Sequence, residues 1–476
     1  MIPQRLLPLA CLLLAACSLA PSYHRPAVPA ATTYRETGNW QPAHLSALRT
    51  DWWQALGDPT LDNLEQTAAV HNQNLLAAIA RLDEARAIAR AQSAAQWPTV
   101  SLTADHQNAH VSNHTPLFPV ENHPSYQSNL INLDASYEID LWGAIKNAVI
   151  ASDALAHASA DDLAALQLSI QAELAMDYAN LRALDTVLQD NQKLVDNWQQ
   201  NLRLTQILVQ HREANIITLS EATFNLDNAR AQLADLQRQR SQTEHAIALI
   251  IGSNPDTFTL PANDNTPPLK PLQPAPDLPS TLLERRPDIA SAEQQVIAAN
   301  ANIGVARAAF FPVFGLSGNT GYENTGYNNW ITAPNRLWSF GPTAALDLFD
   351  GGRLQALSDQ AHAQWRATVA NYRNTVLSAW KDVEDQLIAL HKLHDEDLDT
   401  RAAAQTAQHV LDLTQTRLVN GIDTQFDMLS SERSLLNAQL TQTAIHLNHI
   451  DASILLVKAL GGGWQDHAGQ TLTARP

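Results

Sequence analysis

The chain of 476 residues has only two cysteines and three methionines, and it carries 30 Lys and Arg against 48 Asp and Glu. Each shortage excludes something. Both cysteines, Cys11 and Cys17, sit at the start, so no disulfide framework can staple the remainder and the fold must rest on its core. A net charge of −18 is a poor match to nucleic acid, which is bound through clustered Lys and Arg, so no nucleic-acid partner is expected. Scarce methionine argues against a thioether relay for Cu(I). The longest apolar run, Leu6–Ala16, stops well short of the roughly 20 residues that a membrane-spanning helix needs. Gly-rich phosphate loops, a serine elbow and an HExxH pair are also missing, and neither a catalytic site nor a bound cofactor is expected.

What is present begins with that short run. Arg5 followed by Leu6–Ala16 suits a secretory signal over residues 1–16. Leu14-Ala15-Ala16-Cys17 resembles the bacterial lipobox, which implies cleavage before Cys17 and acylation of its thiol and new amino group. Several acyl chains anchor firmly where one is marginal. Ser18, rather than Asp, follows the cysteine, and this resembles an address for the outer membrane.

The chain then repeats itself. Ala91–Thr103 (AQSAAQWPTVSLT) returns as VARAAFFPVFGLSG at residues 305–318, each an Ala-rich run ending in aromatic-Pro and an extended stretch. The residue before proline is pushed out of the α region, so each helix stops there. Ala231-Gln232-Leu233 recurs as Ala438-Gln439-Leu440, and Ile250-Ile251-Gly252 as Ala459-Leu460-Gly461. The expected organisation is a signal (1–16), a lipidated extended segment (17–59), a first repeat (60–254), a Pro-rich linker (255–286), a second repeat (287–461) and a tail (462–476).

Each repeat opens with a helix, 60–95 and 287–309, followed by two strands. Ile131, Leu133, Ala135, Tyr137, Ile139 and Leu141 alternate with polar residues, and Val100, Leu102 and Ala104 do so in the strand before. In the second copy Trp338, Phe340, Pro342, Ala344, Leu346 and Leu348 form one face, with a less regular partner around 313–322. Such strands fit a transmembrane β-barrel, and equally a soluble sheet with one face buried. Four cannot close a barrel alone, and lipid tolerates no open edge. Either the sheet is a soluble patch or several chains pool their strands.

Proline is absent from Gly143 to Asn254 and from Arg353 until the final Pro476. Apolar residues step by three and four through both tracts, including Leu181, Leu184 and Leu188 in the first and Leu429, Leu436 and Leu440 in the second, a coiled-coil seam. A helix over about 144–210 would measure on the order of 100 Å. Each tract breaks once, at HREANIITL and LVNGIDTQF, where Asn215 and Gly421 are expected to take corresponding left-handed places that end a helix. Each copy then contains a long helical hairpin.

The block LPSTLLERRPDIASAEQQVIAANANIGVARAAFFPVFGLSG (278–318) resembles the signature region of the outer membrane factor family, the TolC/OprM/NodT-like efflux channels. Tyr137-Glu-Ile-Asp-Leu-Trp-Gly143, Leu348-Phe-Asp-Gly-Gly352 and Leu456-Val-Lys-Ala-Leu-Gly-Gly-Gly-Trp464 are similar to its other markers, and CSLAPSYHRPAVP is similar to its lipoprotein branch. The resemblance covers nearly the whole mature chain. It implies an α+β fold dominated by long helices: a homotrimer in which an α-helical barrel, the periplasmic tunnel, joins a twelve-stranded transmembrane β-barrel with four strands per internally duplicated chain. The implied role is the outer membrane exit duct of a tripartite system. A periplasmic adaptor (membrane fusion protein) and an inner-membrane pump of the RND type are its implied partners, along with outer membrane lipid. The alternative is a conduit for type I protein secretion or metal-ion efflux.

The resemblance also points to sites. Its gates lie just beyond the second turn, where Phe426, Ser430 and Arg433 share a helical face with Asp423 nearby. Phe426 matches an apolar constriction and Arg433 a basic position. Ser430 replaces an acidic one, so a carboxylate–arginine latch is either absent or supplied by Asp427 or Glu432. Seam packing would equally account for Phe426 and Arg433. The turns at Asn215 and Gly421 are where the adaptor would dock, though Asn215 departs from the usual glycine. His106, His110, His114 and His123 read as an external loop, and His391/His394 and His446/His449 as surface pairs, so no metal site is expected.

Overall fold

The computed structural model describes residues 18–28, 35, 50–110, 112, 125–262, 269–272, 285–326 and 329–464. Cys17, His114 and His123 lie outside them.

Helix α1 (Pro59–His71) starts from Asp58, whose carboxylate accepts the Thr60 N–H at 2.8 Å, with Pro59 in the first turn where its missing N–H costs nothing. The single helix expected over 60–95 is divided. Asn72 adopts an extended conformation, and its side-chain oxygen accepts the N–H groups of Asn74 and Leu75 at 2.9 and 3.0 Å, capping α2 (Gln73–Ala94). Its amide donates to the Ile250 carbonyl at 2.7 Å.

There follow β1 (Thr99–His110), β2 (Ser125–Ile139), α3 (Ala144–Gln210), α4 (Ile216–Ile250), α5 (Pro287–Ala308), β3 (Val313–Asn324), β4 (Arg336–Ala345), α6 (Arg353–Val419) and α7 (Gln425–Ala459). The duplication is carried in lengths. Helices α3 and α6 both have 67 residues, α4 and α7 both 35, α2 and α5 both 22, and β1 and β3 both 12. The α2/α5 and β1/β3 starts stand 214 positions apart and those of α3/α6 and α4/α7 209, so the second copy is shorter only between its strands. None of the described helices is long and apolar enough to cross a membrane.

The chain forms two compact units, each drawing on both copies: residues 1–26, 81–159 and 291–372, and residues 27–80, 160–290 and 373–476. The first holds one antiparallel sheet in the order β1-β2-β3-β4. Its register sorts side chains by chemistry. One face carries the rows Leu102–Leu133–Thr320–Trp338 and Val100–Ala135–Gly318–Phe340; the other carries Ser101–Asp134–Asn319–Ser339 and Thr99–Ser136–Ser317–Gly341. Polar rows are cross-linked, as in Ser339 to Asn319 at 2.6 Å and Asn132 to Asp134 at 2.6 Å. Phe340 lies over Gly318, where even a Cβ would press on the ring.

Two strand expectations change. His106 and His110 belong to β1 rather than to a loop, bonded to Asn129 and Ser125 at 2.7 and 2.8 Å. Strand β4 ends at Ala345 although its alternation runs on to Leu348, because Ala345 pairs with Val313, the first residue of β3, and β3 offers no partner beyond it.

Residues 18–25 run along α5 in the opposite direction. Ser18 donates to Asn147 (3.0 Å), Arg307 to the Leu19 carbonyl (3.3 Å), Asn300 to the Pro21 carbonyl (2.8 Å), and Tyr23 and Arg25 to Glu293 (2.9 and 2.8 Å).

The second unit is a helical core in which α1 packs Leu61, Leu64 and Ala68 against Leu174, Tyr178 and Leu181 of α3, with Ile247 and Ile454 among the same cluster. Tyr178 donates to Asp58 at 2.6 Å. Glu65, 3 % exposed, points one carboxylate oxygen into this core with no hydrogen-bond partner among the described residues. Burial, reinforced by Asp62, pushes its pKa up to about 9. The duplication recurs here in chemistry: as Asn72 holds the Ile250 carbonyl, Arg286 at the matching place before α5 holds Ala459 at 3.1 Å. Gly252 and Gly461 follow those helix ends in left-handed conformations, so close to the backbone of His71 and Arg285 respectively that a Cβ would overlap a backbone carbonyl.

Candidate functional site

The two hairpin turns are built alike. At the second, Gly421 (φ 70°) lets the Ile422 N–H reach back to the Arg417 carbonyl at 2.9 Å, a Schellman ending for α6. At the first, the Glu213 N–H reaches the Leu208 carbonyl at 2.8 Å, and the left-handed residue is Arg212 (φ 61°). Asn215 is therefore not the counterpart of Gly421. It is extended and caps α4, accepting the Thr218 N–H at 3.0 Å, because its short amide competes well for a free helix-start donor.

Thr424 plays that part for α7. Its hydroxyl accepts the Asp427 N–H at 3.3 Å while Asp427 accepts the Thr424 N–H at 2.8 Å, a reciprocal capping box. The Thr424 hydroxyl, which also donates to the Asp427 carboxylate at 2.6 Å, and then the Thr424 N–H hold the Asp427 carboxyl below its ordinary pKa. Asp423 is engaged too, forming a two-pronged pair with Arg417 at 2.8 Å on both contacts. The corresponding positions of the first turn, Leu208 and Ala214, cannot form such a pair.

The remaining candidates lie along the start of α7. Phe426 is half-buried and Ser430 exposed. Arg433 is turned onto α3, donating to the Asn197 side-chain oxygen at 2.8 Å with its guanidinium 4.2 Å from the Trp198 ring centre. Asn197 in turn donates to Glu432 at 2.7 Å and to the Leu429 carbonyl at 3.1 Å. Burial lowers the Arg433 pKa, with Glu432 opposing. The structure thus brings Phe426, Ser430 and Arg433 onto one helix, gives both nearby aspartates to the turn, and ties Arg433 to an aromatic ring. Arg417, Arg212, Asn197 and Trp198 escaped the sequence reading. The spacing of Thr424 and Asp427 is a local signal that could have marked the cap; the ring under Arg433 comes from another helix and leaves no such signal.

Histidines 446 and 449 face different surroundings. His446 meets the Leu269 carbonyl at 2.9 Å, and the His449 ring lies edge-on to His394 at 6.4 Å. Among the described residues no three His, Cys, Asp or Glu converge to hold a metal ion.

Comparison with known proteins adds three findings. The family model for the outer membrane efflux protein matches residues 64–253 and 278–462. The toluene efflux pump outer membrane protein TtgC of Pseudomonas putida is 30% identical over 462 residues, 96% of this chain and 95% of that protein, and the cation efflux system protein CusC of Escherichia coli is 29% identical over 483 residues, 98% and 100%. Among solved structures, the outer-membrane channel OprN aligns with a TM-score of 0.84 at 27% identity, over 94% of this chain and 100% of that one.

Proposed function

The chain belongs to the outer membrane efflux protein family and is an outer membrane channel of an efflux system, and from that premise we propose that three copies form one exit duct. The observation that carries the reading is the sheet. It is antiparallel, apolar on one face and polar on the other, and among the described residues its edge strands β1 and β4 have no outer partner. In lipid each unpaired backbone group costs several kcal/mol, so an open four-stranded sheet is not a stable end state. Three such sheets joined edge to edge make a closed barrel of the family's kind, apolar side to lipid and polar side to water.

The helical hairpins continue the duct into the periplasm, and their turns at residues 212–215 and 421–424 dock a periplasmic adaptor, which links the duct to an inner-membrane pump of the RND type. The pump supplies the free energy, and substrate choice lies with it. Phe426 and Arg433 narrow the closed end, where threefold symmetry turns each residue into a ring. A lipid on Cys17 would follow residues 18–25 to the membrane surface, a reading supported by Ser18 donating to Asn147 near the start of α3.

Planar-bilayer conductance of the detergent-purified protein, with its mass in solution, tests the reading. A trimer passing small, flickering currents is the expected result. A monomer that never conducts would overturn it.

A further inference from the structure

The internal repeat supplies a template for the one strand junction that the chain lacks. Shifting β1 and β2 onto β3 and β4 reproduces the pairing already seen: Thr99–Ser136 becomes Val313–Ala345, and Leu102–Leu133 becomes Leu316–Pro342. The same shifts carry the junction between the copies, β2 with β3, onto β4 with the β1 of another molecule. Ile139–Phe314, Tyr137–Leu316 and Ala135–Gly318 are the template pairs. Resting on the trimer reading above, we propose that β4 joins β1 of a neighbouring copy in this register: Leu348 opposite Val100, Leu346 opposite Leu102, Ala344 opposite Ala104.

Three independent features agree. Apolar residues meet apolar ones from Leu348–Val100 to Ala344–Ala104, and on the other face Asp347 falls opposite Ser101 and Thr343 opposite Asp105; a slip by one residue would reverse every face. The alternation of β4 continues to Leu348 although its partner inside the chain ends opposite Ala345, so residues 346–348 are patterned for a strand that the single chain does not supply. The third is unsatisfied surface. Within the chain, Trp142, just after β2, stacks on Phe311 at 4.6 Å and donates to the Pro312 carbonyl at 2.8 Å. The equivalent aromatic-Pro step before β1, Trp97-Pro98, has no such cover: Trp97 is 73% exposed, and after β4 Leu348 and Phe349 are 91% and 92% exposed. Gly351 stands where Trp142 does, opposite Trp97 of the neighbour in the proposed register, and Leu348 and Phe349 fall opposite Val100 and Thr99, in the residues directly following that Trp97-Pro98 step.

Intermolecular disulfides test it, since the two native cysteines, Cys11 and Cys17, both lie far from the strands in sequence. Directly opposed residues in an antiparallel pair have Cα atoms about 4.5–5.5 Å apart, within disulfide reach, and those two positions away about 7–8 Å, beyond it. Thr103→Cys is combined with Ala345→Cys, and in shifted controls with Thr343→Cys or Asp347→Cys; mass under reducing conditions reports assembly. The expected result is a ladder of covalent dimer and trimer for the 103/345 pair, roughly tenfold stronger than for either control. A trimer in which a control pair dominates, or in which no pair cross-links, would overturn the register while leaving the duct reading standing. Loss of the trimer in the reduced protein, native cysteine-unmodified chain included, would overturn both.

Discussion

Glu65 offers a quantitative test of the helical core. Its carboxyl is 3% exposed, one oxygen has no partner among the described residues, and burial raises its pKa from 4.5 to about 9. Between those limits the folded chain keeps a proton that the unfolded chain has released. Stability from this group is therefore greatest below pH 4.5 and is lost as pH rises through the window, by about 1.4 kcal/mol per unit. By pH 7 the accumulated cost is on the order of 3 kcal/mol. Glu65→Gln keeps the shape and cannot ionise. Its amide brings a constant desolvation cost, so the informative quantity is the slope of the difference against pH. In denaturant unfolding followed by helical circular dichroism in detergent, the variant should gain on the parent by about 1.4 kcal/mol per unit from pH 5 to pH 8. A difference that stays flat would refute a neutral Glu65 in the folded chain.

Arg212→Gly should stabilise the first turn by about 1 kcal/mol, because a side chain in the left-handed region is strained there, and Gly421→Ala should cost the second turn a similar amount; hydrogen exchange at the ends of α3 and α6 reads both. Thr424→Ala removes half of the capping box and should raise exchange over the first turn of α7, at a cost of about 1 kcal/mol. Gly461→Ala places a methyl group against the Arg285 carbonyl in a conformation alanine resists, and should cost more than 3 kcal/mol, read as a lower unfolding midpoint. Phe426→Ala with Arg433→Ala should leak through the closed channel; unchanged single-channel conductance would remove both from the gate.

Much of the architecture was legible because its signals are local. Period-two alternation over 131–139 and the paired proline-free tracts need no knowledge of distant contacts. The division at Asn72 was hidden, since no glycine or proline marks it and the cap depends on the amide reaching Ile250 far along the chain. Arg212 could not be foreseen in the left-handed place that glycine fills in the other copy. The outer half of β2, Ser125–Asn129, has little apolar alternation to detect. At the candidate gate, Phe426, Ser430 and Arg433 fall on one helix, but of the two residues offered as latch partners Asp427 is committed to the turn by local hydrogen bonds and Glu432 accepts from Asn197 on α3, a contact that the local sequence does not signal.

The equal lengths of the paired helices constrain how such a chain can vary. An inserted residue turns everything beyond it by about 100° and advances it 1.5 Å. In α3 or α6 that would swing the seam residues of one hairpin away from their neighbours and move its turn out of step with the other. Insertions are thus tolerable only where the two copies already differ, between the strands and in the linker. Drift in length is confined to those two places, while the paired helices keep one length between the copies.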